Sequence, residues 1–235
     1  MNSLYFILLL TSAFVPFVLS FDKKLHFYKQ WKYLFPSIIV IAGFYILFDI
    51  ALAAHDVWGF NPKYHSAVIW LGLPIEEFLF FIIIPYASIF LHDSMVLYFD
   101  NLKISNRNTK VITISLIIIS LIIIILNIDK IYSVYIFSKV IVVLLISLYD
   151  KSGLMNRLYI TFLIILLPFI MVNGILTGSL INESVVWYNE QEILGIRIFT
   201  IPIEDSFYAF SLISFVLLLR IKVMSILGSN IHKII

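Results

Sequence analysis

The stretch LPIEEFLFF, residues 73–81, places two adjacent carboxylates, Glu76 and Glu77, inside an otherwise apolar segment. A second copy, IPIEDSFYAF at residues 201–210, places Glu204 and Asp205 in the same way. Shifting the sequence by 128 residues superimposes the Pro-Ile-Glu of the first copy on that of the second. Two copies of an unusual motif at a fixed offset indicate an internal duplication.

The composition of the chain indicates that lipid is its main solvent. Its 235 residues are 62% hydrophobic and 13% charged, and the mean hydropathy is +1.05. A water-soluble domain of this composition would expose far too much apolar surface. Cysteine is absent, which excludes disulfides and thiolate metal ligands, and the spacing of the histidines matches no zinc site. The net charge of +2, without a basic patch or a glycine-rich phosphate loop, argues against nucleic acid as a partner.

Seven apolar runs are long enough to cross a bilayer, at about 3–20, 34–54, 68–92, 111–128, 131–149, 158–179 and 194–219. They predict an all-α polytopic membrane protein. The 128-residue shift carries helices one to three onto helices five to seven, and the copies lie an even number of helices apart. Both copies therefore enter the bilayer in the same direction. The prediction is a parallel duplication of three helices, residues 1–110 and 131–235, joined by a linker helix at 111–130.

The basic residues predict how the chain is oriented in the cell membrane. Because positive residues concentrate in cytoplasmic loops, the side with more of them is assigned to the cytoplasm. One side holds only Lys63 and Lys130, whereas the other holds twelve residues: Lys23, Lys24, Lys29, Lys32, Lys103, Arg107, Lys110, Lys151, Arg157, Arg220, Lys222 and Lys233. This distribution predicts an N-terminus outside the cell and a C-terminus in the cytoplasm. The first run has no basic leader and no cleavage site, so it is predicted to be a retained helix.

The four motif acids are the candidate catalytic residues. A carboxylate at bilayer depth costs about 2.5–3.5 kcal/mol on insertion scales, so such groups normally face the bundle interior and carry function. Burial next to a second acid favours retention of a proton, and a neutral acid beside an ionised one can perform general acid–base chemistry. Glu76 and Glu204 are identical in the two copies, which favours them for the proton transfers, with Glu77 and Asp205 adjusting their acidity. The alternative is a structural role, in which the acids pair with Arg197 or cap broken helices.

The prolines of the two motifs, Pro74 and Pro202, are expected to open their helices locally, because proline removes a backbone donor. With a helix start near Val68, Glu76 is expected roughly 12 Å along the third helix.

Further side chains are candidates for binding substrate and stabilising a cation. Phe80 and Tyr208 follow Glu76 and Glu204 by four residues and share their helix face. Ring faces can stabilise a cation in a dry cavity by about 2 kcal/mol, which suits protonation of an apolar substrate to a carbocation. The other candidates are Trp58, Trp187, Asn173, Arg197 and Asp49. Lys139, inside the fifth apolar run, has no assigned role.

Several segments together resemble the integral-membrane lycopene cyclases, which occur as two three-helix subunits or as one fused chain. These are GLPIEEFLFF with NPKY upstream, and NGILTG followed by VVWYNEQEILGIRIFTIPIEDSFYAF. The resemblance covers nearly the whole chain and implies β-cyclisation of the ψ-ends of lycopene, a redox-neutral isomerisation that needs no cofactor. It implies that the acids of the Pro-x-Glu-Glu/Asp motifs are the functional carboxylates. The implied partners are lycopene or a related carotene, the lipid bilayer and, as a further expectation, other carotenoid enzymes.

Other functions remain as alternatives. Relatives in this family form ε-rings or act on other polyenes. A proton-coupled transporter would share the parallel repeat and the buried acids, although it would carry a more polar lining. A retinal-binding protein would need a lysine in the seventh helix, and the apolar run 194–219 contains none. A prenyltransferase would need an Asp-rich metal site, and Glu76 with Glu77 is too sparse for one. A purely structural subunit would have no use for duplicated acids.

Overall fold

The computed structural model describes residues 3–227, which fold mainly into seven α-helices. The helices are α1 (Leu4–Leu19), α2 (Trp31–Ala54), α3 (Ile75–Tyr98), α4 (Asn106–Leu126), α5 (Ile131–Tyr149), α6 (Leu154–Leu176) and α7 (Ile203–Ile226). Helices α2 to α7 are long and apolar enough to cross a membrane, whereas α1, with 16 residues, is shorter. The prediction of an all-α multi-pass membrane protein is therefore confirmed. The predicted repeats extend at both ends into residues 1–2 and 228–235, which lie outside the described part of the chain, as does Lys233.

Within residues 3–227, six short strands lie at one end of the helical bundle. They are β1 (Trp58–Phe60), β2 (Ile69–Trp70), β3 (Leu73–Pro74), β4 (Val186–Tyr188), β5 (Arg197–Ile198) and β6 (Ile201–Pro202). The pairs β2–β3 and β5–β6 are antiparallel hairpins that lead directly into α3 and α7. The third pair, β1–β4, joins the first half of the chain to the second.

The hairpins correct the predicted starts of the third and seventh helices. Pro74 and Pro202 are extended residues that precede α3 and α7, so neither lies inside a helix or opens one. Each proline is the N-cap residue of its helix, a position whose N–H takes no part in the helical hydrogen bonds, so the missing N–H of proline costs nothing there. The expected depth of about 12 Å for Glu76 was therefore wrong; Glu76 lies in the first turn of α3. Apolar character misled the prediction because the hairpins are as apolar as the helices.

Helices α3 and α7 form the centre of the bundle. Helix α3 packs against α1, α2, α6 and α7, and helix α7 packs against α5, α6, α2 and α3. Each neighbour of α3 thus has a counterpart beside α7, as expected for two related halves with a pseudo-two-fold axis between them. Helix α4 lies at the periphery, against α5 and α6.

The backbone at the strand end repeats the same symmetry. The N–H of Asn61 donates to the carbonyl of Val185 at 2.8 Å, and the N–H of Asn189 donates to the carbonyl of Val57 at 3.0 Å. Asn189 and Val185 are the counterparts of Asn61 and Val57 at the 128-residue offset. The two hydrogen bonds are therefore related by the symmetry of the halves, as in an isologous contact. In the β1–β4 pair Gly59 lies opposite Trp187, its own counterpart. The local two-fold axis therefore passes between these two residues.

Candidate active site

A small cavity of about 60 Å³ lies between the two halves, at the end where α3, α5 and α7 begin and where α2 and α6 end. Both halves contribute to its walls. Its apolar walls come from Trp58, Phe80, Ile84, Phe169, Leu176, Val186, Ala209, Leu212 and Ile213. Its polar groups are Tyr5, Asp49, Glu77, Tyr132, Asn173, Tyr188, Asp205 and Tyr208. An apolar pocket with a few convergent polar groups is the usual form of a small-molecule site.

Asp205 is the carboxylate with the most donors in this cavity. The hydroxyl of Tyr132 donates to its Oδ1 at 2.8 Å. The hydroxyl of Tyr188 and the amide of Asn173 donate to its Oδ2 at 2.7 Å and 2.9 Å. Donors that converge on a carboxylate stabilise its ionised form. Asp205 is thus equipped to hold negative charge and to receive a proton.

Glu77 lies in the corresponding position of the first half and is bonded differently. From the part of the chain that the structure describes, it accepts one hydrogen bond, from the hydroxyl of Tyr5 on α1 at 2.5 Å. Tyr5 and Tyr132 thus play matching parts, since each reaches from the first turn of its helix to the second acid of a motif. The two motif carboxyl groups of the cavity thus differ in the number of hydrogen bonds that they accept from the described residues.

Asp49 is a third buried acid of the cavity. Its Oδ2 accepts a hydrogen bond from the hydroxyl of Tyr208 at 2.7 Å, while its Oδ1 has no hydrogen-bond partner among the described residues. Lys139 lies behind this pair, with its ammonium nitrogen 4.8 Å from the centre of the Tyr208 ring. Asp49 therefore adds a carboxyl group at a position where the sequence predicts a substrate contact.

Glu76 and Glu204 are buried beside the cavity and are not among its lining residues. Glu76 accepts hydrogen bonds from the backbone N–H of Ser66 at 2.7 Å and from the Ser66 hydroxyl at 3.1 Å. Glu204 accepts from the backbone N–H of Leu194 at 2.6 Å and from the Ser133 hydroxyl at 2.7 Å. Each glutamate therefore holds the loop ten residues before it against the start of its helix. This hydrogen bond to the loop backbone is made in both halves, which accounts for a glutamate at this position of both motifs.

The strand pair β1–β4 forms the lid over the acids. Alternate residues of a strand point to opposite faces; accordingly Val186 and Tyr188 line the cavity, and Trp187 lies on the other face with 39% of its surface exposed. Removal of the Tyr188 hydroxyl from water, together with the charge of Asp205, raises the pKa of Tyr188 well above its ordinary value. Tyr188 therefore stays a proton-bearing donor to Asp205.

Two of the sequence-predicted site residues lie away from the cavity. Trp187 lies over Gly59, on the outer face of the lid. Arg197 belongs to strand β5, forms an ion pair with Glu190 and donates to the carbonyl of Thr200 at 2.6 Å. Arg197 therefore does not lie on the helix that carries Glu204, because α7 begins after Pro202.

The other predicted binding residues, Trp58, Phe80, Asn173, Asp49 and Tyr208, all line the cavity. Sequence reasoning missed the tyrosine donors Tyr5 and Tyr132. A tyrosine in the first turn of each of two mainly apolar helices, 127 residues apart, was the signal that could have found them. Within residues 3–227, no group of three or more acidic or histidine side chains is arranged to hold a metal ion.

Comparison with known proteins agrees with this architecture. The sequence model of the lycopene cyclase family matches residues 2–95 and 129–221, so the match covers both halves and omits α4. No curated protein and no solved structure shows significant similarity to the chain. Since the two matched segments make up most of the sequence and hold both acid motifs, the chain belongs to the lycopene cyclase family and is a membrane-embedded carotenoid cyclase.

Proposed function

We propose that the protein is a lycopene β-cyclase, an intramolecular isomerase that closes the ψ-ends of lycopene to β-rings, giving γ-carotene and then β-carotene. The observation that carries this proposal is the pair of carboxyl groups, Glu77 and Asp205, that the two halves present to one apolar cavity. A carotenoid end group offers no polar atom, so protons are what such a cavity can exchange with it.

The reaction requires one proton to be given and one to be removed. A carboxylic acid protonates C2 of the terminal C1=C2 bond, which leaves a cation at C1. The C5=C6 bond attacks this cation, so that a C1–C6 bond forms and the charge moves to C5. A carboxylate then removes the proton on C6, and the C5=C6 bond of the β-ring is restored. Substrate and product are isomers, so the overall balance needs neither an oxidant nor a reductant.

Glu77 is the proposed proton donor and Asp205 the proposed acceptor. Glu77 has a single hydrogen-bond donor, whereas three donors converge on Asp205 and favour its ionised form. This assignment replaces the sequence-based preference for Glu76 and Glu204, because those carboxylates are engaged by backbone N–H groups of the loops. In this proposal Glu76 and Glu204 position the helix starts that carry the reacting acids.

The cationic intermediate needs stabilisation in a water-poor site. Asp49 supplies a third carboxyl group, and the rings of Phe80, Tyr208 and Trp58 line the same cavity. Preorganised charges and ring faces act on developing positive charge most strongly where water is excluded. Removal of a proton from C4 instead of C6 would give an ε-ring, so the position of the base relative to the ring decides the product.

The test is a conversion assay with purified protein in detergent or liposomes, freed of flavin and supplied with lycopene. We expect γ-carotene and β-carotene, identified by chromatography and absorption spectra. Products with ε-rings would contradict the proposed base position. A strict requirement for reduced flavin would contradict the acid–base mechanism.

We also propose the division and the orientation of the chain. Residues 1–110 and 131–235 are the two repeats, residues 111–130 are the linker helix, and the C-terminus lies in the cytoplasm. The loop position of Arg197 adds a third basic residue to the proposed outer side. The ratio becomes twelve to three, which still favours this orientation.

A further inference from the structure

A second cavity adjoins the acid cavity. It has a volume of about 370 Å³ and lies between α1, α3 and α6. Phe80, Ile84, Phe169 and Asn173 line both cavities, so the two spaces share a wall. Its rim includes exposed residues such as Met171. In a bilayer this rim faces lipid. We call this space the α1–α3–α6 groove.

The pseudo-symmetry predicts a matching groove between α5, α7 and α2, and the structure has one, with a volume of about 470 Å³. If Tyr5 is matched with Tyr132, α1 aligns with α5 at an offset of 127 residues. If Asp49 is matched with Asn173, α2 aligns with α6 at an offset of 124 residues. The two acid motifs align α3 with α7 at an offset of 128 residues. The corresponding pairs are then Ser12 and Lys139, Phe169 and Tyr45, Phe80 and Tyr208, and Ala87 and Phe215.

The second groove is closed off from the acids. Among the described residues, none lines both this groove and the acid cavity. The ammonium of Lys139 lies 3.5 Å from the ring centre of Tyr45 and 3.8 Å from that of Tyr135. The Tyr45 hydroxyl is bonded to Ser211 at 2.8 Å, and the Tyr208 hydroxyl is bonded to Asp49. Cation–π contacts and hydrogen bonds together hold this wall in place.

The wall of the α1–α3–α6 groove lacks these restraints. Phe80 and Phe169 stand where the other half has Tyr208 and Tyr45, and a phenyl ring carries no hydroxyl to hydrogen-bond. Ser12, the counterpart of Lys139, is short and donates to the carbonyl of Leu8 on its own helix at 2.8 Å. Rings held only by packing can change rotamer at much lower cost than rings that are also hydrogen-bonded.

We infer that the α1–α3–α6 groove binds the linear remainder of the polyene while one end group occupies the acid cavity. Phe80 and Phe169 move aside to admit that end, since a cavity of about 60 Å³ is smaller than an isoprenoid end group. The lining of the groove is almost entirely apolar, as a hydrocarbon chain requires. From Phe80 to Phe90 it follows α3 for about 15 Å, at 1.5 Å per residue. This inference rests on the proposed cyclase function and adds the route by which substrate reaches the acids.

Ala87→Phe places a phenylalanine in the α1–α3–α6 groove. The closed groove already has a phenylalanine, Phe215, at the corresponding position. Because Ala87 is half-buried and lines the groove, the added ring fills the space meant for the polyene. Ser12→Phe blocks the same space from α1. The matched control is Val142→Phe, an exposed position that lines the closed groove. Thermal unfolding in detergent shows which variants are folded, and Ser12→Phe carries the test if Ala87→Phe is unfolded.

Two quantities are measured for each variant: the rate of lycopene cyclisation, and the binding of lycopene followed by quenching of tryptophan fluorescence. We expect both groove variants to lose at least roughly tenfold in rate and to bind lycopene more weakly, because the substrate is displaced from the acids. The Val142→Phe control should stay within about twofold of the unmodified chain in both measurements, since it leaves the substrate where it is.

The two measurements separate this inference from the proposed function. If the unmodified chain cyclises lycopene and both groove variants match it in rate and binding, the groove inference is overturned and the function stands. An equal loss in Val142→Phe also overturns it. If the unmodified chain binds lycopene without cyclising it, and only the groove variants weaken binding, the groove is supported and the cyclase proposal fails. Absence of lycopene binding to the unmodified chain overturns both.

Discussion

Adjacent motif acids have different surroundings because neighbouring residues on a helix point about 100° apart. At the first turns of α3 and α7, one acid of each motif is directed to the preceding loop and the next to the cavity. Glu76 and Glu204 meet backbone N–H groups, whereas Glu77 and Asp205 meet tyrosine hydroxyls. Identity between the copies therefore reflects a shared backbone contact. The cavity acids differ by one methylene, and their hydrogen-bond partners differ as well.

The first prediction concerns these cavity acids. Glu77→Gln and Asp205→Asn keep the size of the side chain but remove the exchangeable proton or the negative charge. Each should lower the turnover of lycopene by at least about 100-fold, the usual size of an acid–base contribution. The measurement is the initial rate of γ-carotene formation by purified protein at equal concentrations.

Glu76→Gln and Glu204→Gln serve as controls for that prediction. An amide is a weaker acceptor than a carboxylate for the loop N–H groups, and hydrogen bonds to charged groups contribute about 1.5–3 kcal/mol. These variants should therefore unfold at lower temperature but lose less activity than Glu77→Gln and Asp205→Asn. If either variant formed γ-carotene more slowly than Glu77→Gln at equal concentrations of folded protein, the assignment of the reacting acids would be wrong.

The elements that close the site are the two central strands. β1 and β4 meet across the pseudo-two-fold axis, where Gly59 faces Trp187. A Cβ atom added at Gly59 would lie 2.6 Å from Cζ2 of the Trp187 indole, which is too close for two carbon atoms. The tryptophan thus occupies the space that the glycine leaves empty. The duplicated strands differ at this point because the axis leaves room for only one large side chain.

The second prediction follows from that contact. Gly59→Ala should lower the stability by about 1–3 kcal/mol, the usual cost of overpacking. Trp187→Ala removes the clashing ring, so the double variant should lose less than the two single variants together. Thermal unfolding of the four proteins forms a double-mutant cycle. Strict additivity of the two losses would show that the two side chains do not compete for this space.

At the scale of the whole molecule, the two ends of the bundle are held by different interactions. The strand end carries the acids and their tyrosine donors. At the other end Arg220 on α7 donates to both carboxylate oxygens of Asp93 on α3, at 2.6 Å and 2.9 Å, and both side chains are buried. A buried pair with this geometry links the central helices. The acid cavity is thus formed at the end opposite this ion pair.

The third prediction concerns the orientation of the whole chain. The absence of cysteine allows single labels to be placed without background. Asn182→Cys lies in the loop between α6 and β4, at the strand end, and Asn101→Cys lies in the loop between α3 and α4. In intact cells a membrane-impermeant thiol reagent should label Asn182→Cys and leave Asn101→Cys unlabelled, because the positive-inside rule places the strand end outside. The reverse pattern would invert the proposed topology. Both positions should react after the membrane is opened.

The sequence by itself determined the lipid solvent, the seven helices, the duplication and the motif that holds the acids. These features are local in the chain, or they repeat at a constant offset. The apolar runs reveal the solvent because six of the helices that they form in residues 3–227 are each long enough to span a bilayer. Asp49 and Asn173 could also be chosen as site residues because they are polar groups at related positions in the two repeats. Phe80 and Tyr208 could be chosen because they follow Glu76 and Glu204 by four residues.

Only the tertiary structure decided which acids face the cavity, where α3 and α7 begin, and what surrounds Lys139. Tyr5 and Tyr132, which bond Glu77 and Asp205, lie 72 and 73 residues earlier in the chain, and the Tyr208–Asp49 bond joins residues 159 apart. Such contacts depend on how each helix is rotated against its neighbours. Rotation is set by packing among many side chains at once, and an apolar run that is uniform on all faces carries little information about it.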